Sequence, residues 1–185
     1  MKYCFVFVLA CLCSLQVTWG SKHYIKYKDP SVNIPERVDD LLSRMTLDEK
    51  VAQLMQMGTH MIVHDGKIDH AKMKAICKKD GIGFFEGITL TGEEAHRIMC
   101  EVQHYMMDST RLGIPVFTLT ESLHGSVNDG ATVYPQAIAL GSTFNPELVY
   151  QMTSAISEEL KVQGITQSLT PVVDVCRDLR WGRVE

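Results

Sequence analysis

IPVFTLTESLHG, residues 114–125, passes from an apolar half into a polar one without a break. Ile114 to Leu119 reads as a buried strand, and Thr120 to Gly125 reads as the loop that leaves it. Parallel α/β folds place chemistry on such loops, at the carboxyl ends of their strands. Upstream, Gly113 closes a helical stretch that Thr91 and Glu94 open as a capping box. Ile98, Met99, Val102, Tyr105 and Met106 form its apolar stripe. Ile82 to Phe85 reads as an earlier strand, after a lysine-rich helix near 68–79. Downstream, Asn145-Pro146-Glu147 supplies an N-cap, a first-turn proline and an acid, so a helix is expected to run to Gln163 and stop at Gly164. A third strand is expected at Ile165 to Thr170 or at Val172 to Val175, divided by Pro171.

Nearer the start, Val38, Leu41, Leu42 and Met45 have helical spacing, with an end near Arg44. Thr46 and Glu49 form a second capping box, and Val51, Leu54, Met55 and Met57 are expected to be the buried stripe of the next helix. Strands alternating with helices argue for an α/β domain, either a barrel or an open parallel sheet, and periodicity does not choose between them.

The chain has 185 residues, 45% hydrophobic and 22% charged, an ordinary globular composition with a formal charge of −4. It carries no basic block, so nucleic-acid binding is not expected. Residues 1–20 read as an export signal: Lys2 precedes an apolar run from Phe5 to Leu15, with a cleavage position after Gly20 and Thr18 at minus three. The run is too short to span a bilayer. Cys11 after Leu9 and Ala10 loosely matches a lipid-attachment signal. Residues 21–34 are a polar lead-in. Cys77, Cys100 and Cys176 are expected to be buried free thiols. The histidines lack metal-ligand spacing, and neither metal nor cofactor is expected.

Three loop segments concentrate polar chemistry. Glu121 is placed to accept hydrogen bonds from sugar hydroxyls, to transfer protons, or simply to cap a backbone amide. His124 either orients a ligand or is structural. Asn128 to Pro135 is a turn-rich loop suited to a cleft rim. Asp174, Arg177, Asp178, Arg180, Trp181 and Arg183 form either a carbohydrate pocket, with guanidinium forks and an indole face, or a structural network. Ser122 lacks the GxSxG elbow of serine hydrolases.

Taken in order, Ile114-Pro115-Val116, Glu121-Ser122-Leu123-His124-Gly125, Gly130 to Gln136, Ala139 to Phe144, Pro171 to Val175 and Arg177 to Arg183 resemble the N-terminal part of glycoside hydrolase family 3. The resemblance covers residues 35–185 and implies α/β architecture, the N-terminal part of a (β/α)8 TIM-like barrel that is incomplete in this chain. A complete barrel needs roughly 250 residues. The implied activity is exo-acting, retaining removal of terminal β-glycosyl residues from a β-linked oligosaccharide or glycoside, β-glucosidase-like or β-xylosidase-like. Glu121 and Arg183 match substrate-binding positions; His124, Asp174, Arg177, Asp178, Arg180 and Trp181 match supporting ones. The family's nucleophile and acid/base are expected beyond Glu185, so this polypeptide alone is expected to be inactive and to need the C-terminal part of the same protein as its partner. The implied location is periplasmic or secreted. A noncatalytic carbohydrate-binding fragment and a self-contained small α/β enzyme are the competing classes.

Overall fold

The computed structural model describes residues 24–87 and 90–182, so the leader and the lipid-signal reading lie outside the described residues. The chain divides into two compact units, residues 1–44 and 45–185. In the first, a short 3-10 turn over Lys26–Lys28 precedes helix α1, Ile34–Arg44. The Asn33 side chain accepts from the Glu36 N–H at 3.0 Å, and Asp40 ties Arg44 at 2.9 Å to the Tyr27 N–H at 3.0 Å.

The second unit begins with α2, Leu47–Ala52, opened by the expected capping box of Thr46 and Glu49. It continues through β1 (Gln56–Gly58), α3 (Thr59–Ile62), β2 (Val63–His64), β3 (Lys67–Ile68) and α4 (His70–Cys77). Then come β4 (Phe84–Glu86), α5 (Gly92–Ser109), β5 (Phe117–Thr120), α6 (Ala137–Gly141), α7 (Pro146–Val162) and β6 (Gln167–Ser168). Strands β1, β4, β5 and β6 form one parallel sheet in that order, while β2 and β3 form an antiparallel hairpin. Helices connecting sequential parallel neighbours make this the start of a TIM-type barrel.

Register and pleat sort the sheet into two faces. Met57, Phe85 and Thr118 share one row and are fully buried, and Thr120 follows on the same face. That face packs in one core with Ile98, Met99, Val102 and Met106 of α5, Met73 and Cys77 of α4, and Met152, Ile156 and Leu160 of α7. The opposite face carries Gln56, Phe84 and Phe117 in one row and Gly58, Glu86, Leu119 and Gln167 in the next. On it the Phe84 and Phe117 rings stack 5.7 Å apart and Phe117 is 57% exposed, while Leu119 is buried.

Three expectations change. Val51, Leu54 and Met55 are exposed, and Glu49 is the buried residue of α2. The helix stops early because Gly83 comes against its end: the Gly83 N–H donates to Ala52 O at 3.1 Å, and a Cβ at Gly83 would lie 1.8 Å from Gln53 O. The chain instead turns into β1, where Met57 is buried. Of the two candidate third strands, only Gln167–Ser168 pairs, and residues 172–175 are irregular. Pro171 has no N–H to offer a ladder. Of the thiols, Cys77 is buried, with its pKa pushed up to about 11 by burial, while Cys100 and Cys176 are half-buried.

Candidate functional site

Glu121 follows the last residue of β5 at the carboxyl end of the sheet, half-buried. Among the described residues it has no hydrogen bond or ion pair, in contrast to the carboxylates that cap helices elsewhere in the chain. Its loop is held from both sides. The buried Ser122 hydroxyl bonds to the Ser168 hydroxyl on β6. The Tyr134 N–H donates to His124 O at 2.7 Å. Gly125 has φ +125°, and a Cβ there would lie 2.1 Å from Thr132 O, so only glycine allows the two loop segments to close together.

Beyond Gly125, Ser126, Asn128 and Gln163 form a buried polar knot. The Leu90 N–H donates to Asn128 Oδ1 at 3.1 Å, which fixes the Asn128 amide; its Nδ2 then donates to Gln163 Oε1 at 2.9 Å, and Ser126 Oγ donates to the same oxygen at 3.0 Å. Thr132 gives its N–H and hydroxyl to Glu159, at 3.1 and 2.8 Å. Asp129 to Thr132 and Tyr134 line one side of a cleft of about 590 Å³ against α7, away from Glu121 and His124, which do not line it. Two buried polar atoms have no partner among the described residues, Thr120 Oγ1 and His124 Nδ1. Both flank Glu121 in sequence, and a satisfied loop would not leave them so.

The second cluster is looser. Asp174, Arg177, Asp178, Arg180 and Trp181 are exposed. Asp178 accepts from Arg180 Nε at 3.0 Å and from the Arg180 N–H at 2.9 Å, and this guanidinium lowers the Asp178 pKa. The Trp181 N–H donates to Asp178 O at 3.0 Å. Asp174 has no polar partner among the described residues. Arg183 lies outside them, so the structure does not describe its position relative to Glu121.

Two carboxylates make contacts that the sequence does not announce, Glu86 and, beyond its capping box, Glu49. Glu86, half-buried at the end of β4, accepts from Gln56 Nε2 at 2.8 Å. It is the last residue of its strand, and that position at a strand end was the available signal. Glu49, 1% exposed, takes the Arg111 fork, with Nε at 2.6 Å, as well as the Thr46 N–H at 2.8 Å. The adjoining guanidinium holds its pKa at about 2.

Residues 46–185 match the model of the glycosyl hydrolase family 3 N-terminal domain. The chain is 32% identical over 164 residues to a putative beta-xylosidase of Formosa agariphila, covering 85% of this chain and 22% of that protein. It is 31% identical over 176 residues to a probable beta-glucosidase C of Aspergillus oryzae, covering 85% and 27%. It is 32% identical over 148 residues to a periplasmic beta-glucosidase of Salmonella typhimurium, covering 79% and 17%. The chain thus spans about a quarter or less of the length of these curated relatives.

Proposed function

The chain belongs to glycosyl hydrolase family 3, and on that premise we propose that it supplies part of the sugar-binding site of an exported glycoside hydrolase. The reaction is the removal of terminal non-reducing β-D-glycosyl residues, exo-acting and retaining. Glu121 carries the reading. A half-buried carboxylate without a partner at the carboxyl end of a barrel strand is placed to accept sugar hydroxyls. Arg183 binds the same sugar, and His124, Asp174, Arg177, Asp178, Arg180 and Trp181 support the two. No residue of this chain is assigned as nucleophile or acid/base. Retention requires such a pair about 5–5.5 Å apart.

The proposed organisation is an export leader over 1–20, a lead-in over 21–34 and the barrel portion over 35–185. The periplasmic relative in Salmonella supports export, and no helix among the described residues is long and apolar enough to cross a membrane. β-Glucosidase activity is the first reading, and the beta-xylosidase relative favours the pentoside alternative.

The test is turnover of aryl β-D-glucoside and aryl β-D-xyloside by the natural gene product, with the product anomer read by NMR. Hydrolysis with retention, and a higher KM in Glu121→Gln, is expected. Sugar binding without hydrolysis would replace the enzyme with a noncatalytic binding protein, and neither binding nor hydrolysis would end the reading.

A further inference from the structure

The Glu121 side chain makes no hydrogen bond among the described residues, so its place is set by the residues on either side of it. Both are tied to the same two residues. Thr120 O, before it, accepts from the Leu169 N–H at 3.0 Å. The Ser122 hydroxyl, after it, bonds to the Ser168 hydroxyl. Glu121 is thus bracketed by Ser168-Leu169, where β6 ends. Thr120 and Ser122 are buried, and Glu121 between them is half-buried, so the chain is fixed on both sides of the one residue that reaches outward.

The two ties differ in what they require of the sequence. The bond from Leu169 to Thr120 continues the backbone ladder of β5 and β6, which almost any pair of residues could make. The serine pair needs a hydroxyl at both positions. Among the described residues it is the one side-chain hydrogen bond made from Thr120 to Gly125, and each serine side chain has the other as its partner. A buried hydroxyl is costly without such a partner, so the ladder alone does not account for a serine at position 122, which is 2% exposed. Beyond Leu169 the chain runs on to the Asp174–Arg183 segment, to which the reading above gives the second sugar contact. The serine pair therefore fastens the loop that carries Glu121 to the strand that leads to that segment.

We propose that Ser122 and Ser168 are positioning residues for Glu121, their hydroxyl pair holding its carboxylate where it meets the sugar. This rests on the glycosidase reading above. A binding group must be held to within a fraction of an ångström by the residues behind it, and here one neighbour of the carboxylate carries that support.

The experiment uses the natural gene product and its Ser122→Ala, Ser168→Ala and Ser168→Thr variants, the double alanine, and Ser122→Ala combined with Glu121→Gln. It measures aryl β-D-glucoside and β-D-xyloside kinetics, inhibition by D-glucose and the melting temperature. Each single alanine should raise KM and the glucose inhibition constant about fivefold, the worth of one hydrogen bond, with kcat changed less. Ser168→Thr keeps the hydroxyl and should stay near wild type. The double alanine leaves no buried hydroxyl unpaired, so its melting temperature should return toward wild type while KM stays raised. In Glu121→Gln, adding Ser122→Ala should raise KM little further, because a residue that acts through the carboxylate has nothing left to position. Three results would each overturn the proposal while leaving the glycosidase standing: wild-type KM and glucose inhibition in the folded single alanines, a KM that recovers with the melting temperature in the double, or full additivity with Glu121→Gln. If Ser122→Ala does not fold, Ser168→Ala, at the half-buried end of the pair, decides the matter by the same criterion. If the wild type hydrolyses neither substrate, the glycosidase reading fails. Calorimetric glucose binding then decides the clamp: binding weakened in the alanine variants supports it, and binding unchanged, or absent from the wild type, overturns it.

Discussion

The two ends of the parallel sheet are built to opposite rules. At the amino end, long-range polar contacts hold the segments that lead into the strands. Glu49 is buried under the Arg111 fork and the Thr46 cap, and the Arg111 N–H donates to Lys79 O at 2.9 Å, just ahead of β4. The Gln103 amide grips Val116 just ahead of β5, donating to its carbonyl at 2.6 Å and accepting its N–H at 3.1 Å. At the carboxyl end, Glu121 has no partner among the described residues, and Thr120 Oγ1 and His124 Nδ1 are buried without one. The pairs at one end fasten the connecting segments, and the unpaired polar groups at the other leave hydrogen-bonding capacity for something else. This is the division expected of barrels, whose stability and chemistry sit at opposite faces.

The contrast breaks most sharply at Arg111. Arg111→Ala leaves the Glu49 carboxylate buried without its counter-charge and should cost about 3 kcal/mol in denaturant unfolding. A loss below about 1 kcal/mol would mean that the amino end is not the fastening it looks to be. Acid gives a second route to the same contact. The folded Glu49 pKa of about 2 lies below its usual 4.5, so its contribution is present above pH 4.5 and disappears as pH falls toward 2. Stability measured between those pH values should fall in the wild type and fall much less in Arg111→Ala, and parallel curves would remove Glu49 from the account. Thr46→Ala deletes only the hydroxyl half of the capping box and should cost about 1 kcal/mol. The smallest effect belongs at the other end: Glu121→Gln should change stability by less than about 0.5 kcal/mol, because the carboxylate makes no bond to lose. A large loss there would show that Glu121 is structural.

The sequence made one half of this contrast legible. The strand-to-loop change at Thr120, the capping boxes at Thr46 and Thr91, and the Asn145-Pro146 start of α7 are local signals, written within a few residues, and the fold follows them. The amino-end fastening joins residues 49 and 111, and nothing in either neighbourhood announces the other. Periodicity misread α2 for a related reason. Val51, Leu54 and Met55 have the spacing of a buried stripe, but the approach of Gly83 ends the helix before Leu54 and Met55, and Val51, inside it, faces outward. The hairpin at β2–β3 was legible in principle, since Asp65 and Gly66 take the left-handed backbone that an Asp-Gly turn favours, with φ of 49° and 68°. The place of Glu86 comes from register, which aligns it with Leu119 across the sheet, and no local signal gives that pairing.

The order β1-β4-β5-β6 means that each strand of the sheet pairs with the one made just before it. A chain emerging amino end first can therefore add each strand to an edge already in place, with no need to wait for distant sequence. At every stage the most recently made strand forms one edge, β1 forming the other, and an exposed edge is a template for any other chain. For a protein proposed to cross a membrane on its way out of the cell, the interval between one strand and the next is when a chaperone has most to do.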